Sequence, residues 1–206
     1  MGGELPQDDG VTDSPHEASG SDEDAILMGR IASGDEESFR LLVERHQGLV
    51  IGTVVRMIGS SEAEDLAQQV FLSVWKSAPR WRPEAKVTTW LLTITKRLVF
   101  NESRRRTRSR LLPQSRGEES LPEHPDKAPS PAGLLLEREL HESIESALAA
   151  LPEKERLAVV LRQQQGMPYE EIAAVLGMSL PGVKSLLFRA RSSLKERLVP
   201  YLGEEN

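Results

Sequence analysis

The residues best suited to chemistry here sit on a cationic helix behind a tight turn. From Pro168 the chain reads PYEEIAAVLGMSLPGVKSLLFRARSSLKERL. Ile172, Ala173 and Leu176 fall at helical spacing on one side of a first helix, Tyr169 to Leu176. Gly177 can adopt the positive φ that stops a helix abruptly, and Ser179 can cap the next one. Val183, Leu186 and Leu187 give that second helix an apolar side, leaving Lys184, Ser185, Phe188, Arg189 and Arg191 around the rest of it. A small Ala four residues before the turn Gly and a Val six after it suit a helix-turn-helix whose second helix enters a DNA groove. An ordinary helical hairpin with a solvated charged face is the alternative at this point.

A second constellation lies upstream, in FLSVWKSAPRWRPEAKVTTWLLTITKRLVFNESRRRTR. It joins Trp75, Trp81 and Trp90 to a basic helix end. Aromatic faces beside Lys and Arg suit unstacked bases, because every base has a π-face and every phosphate needs a cation. Trp75 lies in register with Phe71, and Trp90 opens an apolar face, so both are expected in the core rather than against a base. Trp81 borders a loop, where Arg82, Glu84 and Lys86, with Thr88 and Thr89, are placed to touch an extruded base. Arg104-Arg105-Arg106 could merely complement a helix C-terminus, but Lys96 and Arg97 extend the same charge upstream into a stripe.

The elements that must hold these groups read as helices throughout. Helices are expected from about residue 22 to 33, from 36 to 58, then from a capping box of Ser61 with Glu64 to a stop before Pro79. A loop of residues 80–86 leads to a helix of 87–108, apolar early and basic late. Five of the 13 prolines fall in residues 112–133, which read as a flexible linker. A helix of 134–150, one opened by Pro152 and the helix-turn-helix follow. The expected fold is all-α: an acidic disordered arm (1–21), an N-terminal helical domain (22–111), the linker (112–133) and a C-terminal helix-turn-helix domain (134–202).

Composition limits the alternatives. The 206 residues include no Cys, which excludes disulfides and thiolate-ligated metal, and four scattered His offer no ligand spacing. No cofactor or metal is expected. No apolar run approaches the ~20 residues that span a bilayer, and the acidic N-terminus is unlike a secretory signal, so a cytoplasmic protein is expected. The net charge of −6 hides an asymmetry. Residues 1–24 hold eight acidic side chains and no Lys or Arg, leaving the remainder at +2. Phosphate contacts answer to local field rather than net charge, so overall acidity does not oppose DNA binding. No nucleophile–base pair or paired carboxylates mark a catalytic pocket, so no enzymatic activity is expected.

Taken together, DLAQQVFLSVW, TTWLLTITKRLV, ALPEKERLAVVLR and GVKSLLFRAR resemble bacterial sigma factors of the extracytoplasmic-function (ECF) group of the sigma-70 family. The likeness spans about residues 24–110 and 136–199. It implies that the first domain binds the clamp of core RNA polymerase and opens the promoter −10 element, while the second reads the −35 element. The polymerase contact would involve the helix holding Asp65, Leu66, Gln68, Gln69, Phe71 and Trp75. The loop from Trp81 to Lys86, with Arg82 and Glu84, would pocket a flipped −10 base. Thr88, Thr89, Lys96, Arg97, Asn101, Arg104 and Arg105 would hold the strand. Ser179, Pro181, Gly182, Lys184, Ser185, Phe188, Arg189 and Arg191 would face the −35 duplex. Two departures bear on promoter sequence: Pro83-Glu84-Ala85 replaces the common Gly with Asp or Ser, and Phe188 stands where His is common. The resemblance also implies an anti-sigma partner that these residues do not identify. A stand-alone helix-turn-helix regulator and a magnesium-dependent nucleic-acid enzyme remain as rivals on the residues alone.

Overall fold

The computed structural model describes residues 15–111 and 131–199, and every regular element among them is helical. In chain order these are α1 (Pro15–Ile31), α2 (Glu36–Ile58), α3 (Ala63–Ser77), a 3₁₀ turn (Ala78–Arg80), α4 (Val87–Leu111), α5 (Pro131–Ala149), α6 (Glu153–Gln165), α7 (Tyr169–Leu176) and α8 (Leu180–Leu198). The all-α reading is therefore right. Its edges need correction. Helix α1 starts at Pro15, inside the arm expected to lack structure, because Pro at the first helical position gives up no intrahelical hydrogen bond. Helix α4 continues to Leu111, and α5 begins at Pro131 within the expected linker. The rest of the expected arm and linker lies outside the described residues.

Local signals explain most boundaries. Asp35 caps α2, its carboxylate accepting from the Glu37 and Ser38 backbone N–H groups. Gly166 and Gly177 end α6 and α7 in the left-handed region, at φ 60° and 66°. The capping box expected at Ser61 and Glu64 does not form. Glu62 occupies the cap position of α3 without a side-chain cap bond. Its carboxylate is taken instead by Arg106 of α4, at 2.8 Å.

Helices α1 to α4 pack as one bundle and α5 to α8 as another. In the first, Met28, Leu42, Val50, Val54, Val70, Val74, Leu91 and Leu92 are essentially closed to water. Each such side chain contributes about 1.5–3 kcal/mol relative to exposure. Trp75 meets Phe39 edge-on at 5.0 Å between ring centroids, so this ring belongs to the packing. In the second bundle, Leu157, Leu161, Ile172 and Leu187 fill the centre. The bundles also meet: α4 lies against α7 and α2 against α6. Arg156 of α6 donates to the Met57 carbonyl of α2 at 2.9 Å. Among the described residues, no single helix is long and apolar enough to cross a membrane.

Candidate nucleic-acid interface

Helices α7 and α8 meet at 97° across three residues. Ile172, Ala173 and Leu176 of α7 face Val183, Leu186 and Leu187 of α8 within the core, as their spacing dictates. Gly177 takes φ 66° and ψ 45°, a conformation that costs a side chain about 1–2 kcal/mol. Ser179 then caps α8, its Oγ accepting from the Gly182 backbone N–H at 3.3 Å. A Cβ at Gly182 would stand 3.2 Å from that same oxygen, a tight contact that would press on the cap.

The outward side of α8 carries Pro181, Lys184, Ser185 and Phe188 at helical spacing, all exposed. Phe188 is 71% exposed, the largest value among the large apolar side chains of the described residues. Two further cations are steered rather than free. Arg189 Nε donates to Glu155 at 3.2 Å, and Arg191 donates to the Tyr169 hydroxyl at 3.0 Å. An apolar ring, a hydroxyl and an ammonium in one row can contact base edges, while the guanidinium groups beside them suit phosphates.

On the first bundle, Arg97, Asn101, Arg104 and Arg105 are exposed along one side of α4, with Arg108 continuing the row. Arg108, outside the expected strand-binding set, recurs at the same period. Arg105 is held by Glu102 through two bonds of 2.7 and 2.8 Å, which keep the Glu102 carboxyl below its usual range. Arg106 turns away, bonding Glu62 and the Ile58 carbonyl at 2.6 Å, and so locks α4 onto α2 and α3. Arg82, Glu84 and Lys86 are exposed on the loop before α4, whereas Trp81 is half-buried and its indole N–H has no partner among the described residues.

Not every expected strand contact is open. Thr88 is half-buried and Thr89 is buried, its hydroxyl donating to Glu171 of α7 at 3.2 Å. Lys86 pairs with the same carboxylate at 2.8 Å. Lys96 donates to the Val175 carbonyl, and burial, with Lys154 nearby, lowers its affinity for a proton. The α4 surface therefore divides into an open row, Arg97 to Arg108, and a row covered by α7. Nothing in the sequence marked Glu171 as the group that covers it.

Helix α3 presents a third surface. Asp65, Gln68 and Gln69 are exposed on it, as a partner contact requires. Leu66 and Phe71 point inward and can only shape the helix, and Trp75 is half-buried against Phe39. Leu72, 54% exposed, lies three residues beyond Gln69 and adds an apolar centre that the sequence reading missed. Its helical register with Asp65, Gln68 and Gln69 is the signal in the sequence that marks it. No group of three or more His, Asp or Glu among the described residues could hold a metal ion.

Comparison with known proteins agrees with this division. Residues 42–109 match the profile of Sigma-70 region 2, and residues 141–194 match that of Sigma-70, region 4. The chain is 28% identical over 183 residues to the ECF RNA polymerase sigma-E factor of Haemophilus influenzae, covering 87% of this chain and 97% of that protein. It is 29% identical over 190 residues to the ECF RNA polymerase sigma-E factor of Escherichia coli, covering 87% and 96%. Among solved structures, CnrH in complex with the cytosolic domain of CnrY aligns over 86% of this chain and 98% of its own, with 27% identity and a TM-score of 0.64. The sigma factor RpoE of Bartonella quintana, solved with the anti-sigma factor NepR, shares the fold at a TM-score of 0.65, covering 79% and 98% with 24% identity.

Proposed function

The chain belongs to the sigma-70 family, as a factor of its ECF group, and we propose how its two bundles divide the work of initiation. It is a sigma factor that binds core RNA polymerase and directs transcription from promoters. The bundle of α1 to α4 meets polymerase through Asp65, Gln68, Gln69 and Leu72 of α3 and takes the −10 element. The bundle of α5 to α8 takes the −35 duplex through α8.

The observation that carries this reading is one chain bearing two unlike exposed polar rows, on α8 and on α4. The α8 row of Pro181, Lys184, Ser185 and Phe188 is narrow and stands at a helix N-terminus, the shape that enters a major groove. The α4 row of Arg97, Asn101, Arg104 and Arg105 is long, cationic and beside a loop, the shape that follows a single strand. Separating strands costs about 1.4 kcal/mol of stacking per step. Arg and Lys contacts to the freed strand offset part of that cost, and the loop holding Trp81, Arg82 and Glu84 receives the extruded base. Polymerase supplies the remainder by tethering both bundles to one promoter.

In this role the chain forms and breaks no bond and needs no cofactor or metal. It acts in the cytoplasm, where polymerase and promoter meet. Its family and the two solved complexes support an anti-sigma partner as the source of control. Run-off transcription with core RNA polymerase, with and without the purified chain, tests the proposal. Factor-dependent transcripts from a defined start are expected. Tight duplex binding with no effect on core polymerase would instead indicate a stand-alone regulator.

A further inference from the structure

Among the described residues, Arg189 is the α8 cation held by an acid. Its Nε donates to Glu155 of α6 at 3.2 Å, across 34 residues of chain. The two ends of that bond differ in their surroundings. The Glu155 side chain is 12% exposed, whereas that of Arg189 is 59% exposed. Glu155 lies in the first turn of α6, where free backbone N–H groups and the positive end of the helix dipole favour a carboxylate. Helix α6 packs along α8, and Leu157, Leu161, Leu186, Leu187 and Ala190 are buried in their shared core. The anchor is therefore fixed, and the guanidinium it holds stands in solvent. Its Nη1 and Nη2 make no hydrogen bond among the described residues.

We propose that Glu155 is a positioning residue for the −35 element. It sets Arg189 so that the two terminal nitrogens meet a phosphate when α8 is seated in the major groove, and so sharpens discrimination against other DNA. This rests on the assignment of α8 to the −35 duplex.

The reason is preorganisation. An unrestrained arginine follows any nearby phosphate, because its stem is flexible and phosphate attraction carries no sequence information. A tethered one cannot. Its rotamer freedom is already spent in the free chain, so a phosphate in the right place is met without further ordering. A phosphate elsewhere must first break the tether. The carboxylate makes that tether firm, since a charged acceptor binds a guanidinium more strongly than a neutral one. Arg191 has the neutral counterpart, donating to the Tyr169 hydroxyl at 3.0 Å. A partly exposed ion pair adds little to stability, so the effect of Glu155 belongs to recognition rather than folding.

The test uses holoenzyme assembled from core polymerase and the full chain. Its probes are the duplex that the wild type selects from a randomised −35 library and a duplex with the same bases scrambled. Anisotropy across a salt series gives the ratio of the two affinities. Glu155→Leu removes the acceptor and should lower that ratio by about threefold to tenfold. On the scrambled duplex, the slope of log affinity against log salt should steepen by about 0.9 as the freed Arg189 gains a phosphate. Glu155→Gln keeps a carbonyl oxygen for Nε and should fall between the wild type and Glu155→Leu. Glu170→Gln, at an exposed position on α7, removes a like charge and should leave the ratio unchanged. In an Arg189→Ala background, Glu155→Leu should have no further effect. An unaltered ratio in Glu155→Leu, or Glu155→Gln no better than Glu155→Leu, would overturn the proposal. Lys184→Ala separates the two failures. If it and Arg189→Ala leave −35 binding intact, the −35 assignment falls and the proposal with it. If they weaken binding while Glu155→Leu does not alter the ratio, the proposal alone falls.

Discussion

Asp24 and His46 meet inside the first bundle, carboxylate oxygen to ring nitrogen at 2.7 Å, and both are nearly closed to water. The other Asp24 oxygen takes Arg45 at 2.8 Å, and Arg45 also holds Glu23 at 2.7 Å. This network fastens α1 to α2, and it joins residues 22 apart in the chain. Burial by itself would raise the Asp24 carboxyl. Hydrogen bonds and charges of His46 and Arg45 outweigh it and hold the carboxyl below its ordinary range.

Acid should therefore loosen α1. A carboxyl depressed in the folded state contributes its full stability above the unfolded value and loses it as pH falls through the folded value. Asp24→Asn is expected to cost about 1.5–3 kcal/mol near neutrality and to flatten the acid limb of the stability profile. Urea denaturation of both proteins from pH 7 down to the acid transition measures this. Parallel acid limbs would count against the network.

The row on α4 should act on the single strand alone. Arg97→Ala with Arg104→Ala removes two exposed cations that make no ion pair among the described residues. Promoter opening, followed by permanganate reactivity of unpaired thymines, should fall. Each lost phosphate contact should reduce the slope of log affinity against log salt by about 0.7 on single-stranded DNA. Binding of the isolated −35 duplex should be unchanged.

Phe188 should govern base choice without supporting the fold. At 71% exposure it buries too little to matter for stability, so Phe188→Ala should stay within about 0.5 kcal/mol of the wild type in thermal unfolding. Selection from a randomised −35 duplex with polymerase should relax at one position, where a wrong base now costs about 1–3 kcal/mol. An unchanged selection would remove Phe188 from the reading surface.

The α8 cap should matter for both fold and binding. Ser179→Ala is expected to destabilise the second bundle by about 1 kcal/mol, because the Gly182 N–H loses its acceptor. Gly182→Ala should weaken the same cap by crowding Ser179 Oγ. Thermal unfolding of the full chain reads both, and −35 binding should fall with the cap.

Much of the fold was legible because helical spacing is a local property. The inward set Ile172, Ala173, Leu176, Val183, Leu186 and Leu187 could be read residue by residue, and each is buried. Turn chemistry was equally direct at Gly177 and Ser179. Reading failed where a side chain had two uses. Glu62, Ser61 and Glu64 carry the composition of a cap, yet Glu62 is drawn off by Arg106, 44 residues away. Leu66 and Phe71 match a partner-binding motif, but the heptad that exposes Asp65, Gln68 and Leu72 turns them inward.

Sequence by itself determined the helices, the two bundles and the chemistry each offers, since periodicity, caps and charge runs are written within a few turns of chain. Only the tertiary structure decided which of those charges are available. Lys86, Thr89 and Lys96 look as open in the sequence as Arg97 and Arg104, and they differ because α7 brings Glu171 and the Val175 carbonyl onto them from about 80 residues away. Such pairings depend on how two packed bundles meet. No local pattern encodes that, because desolvation and ion pairing act through space, not along the chain.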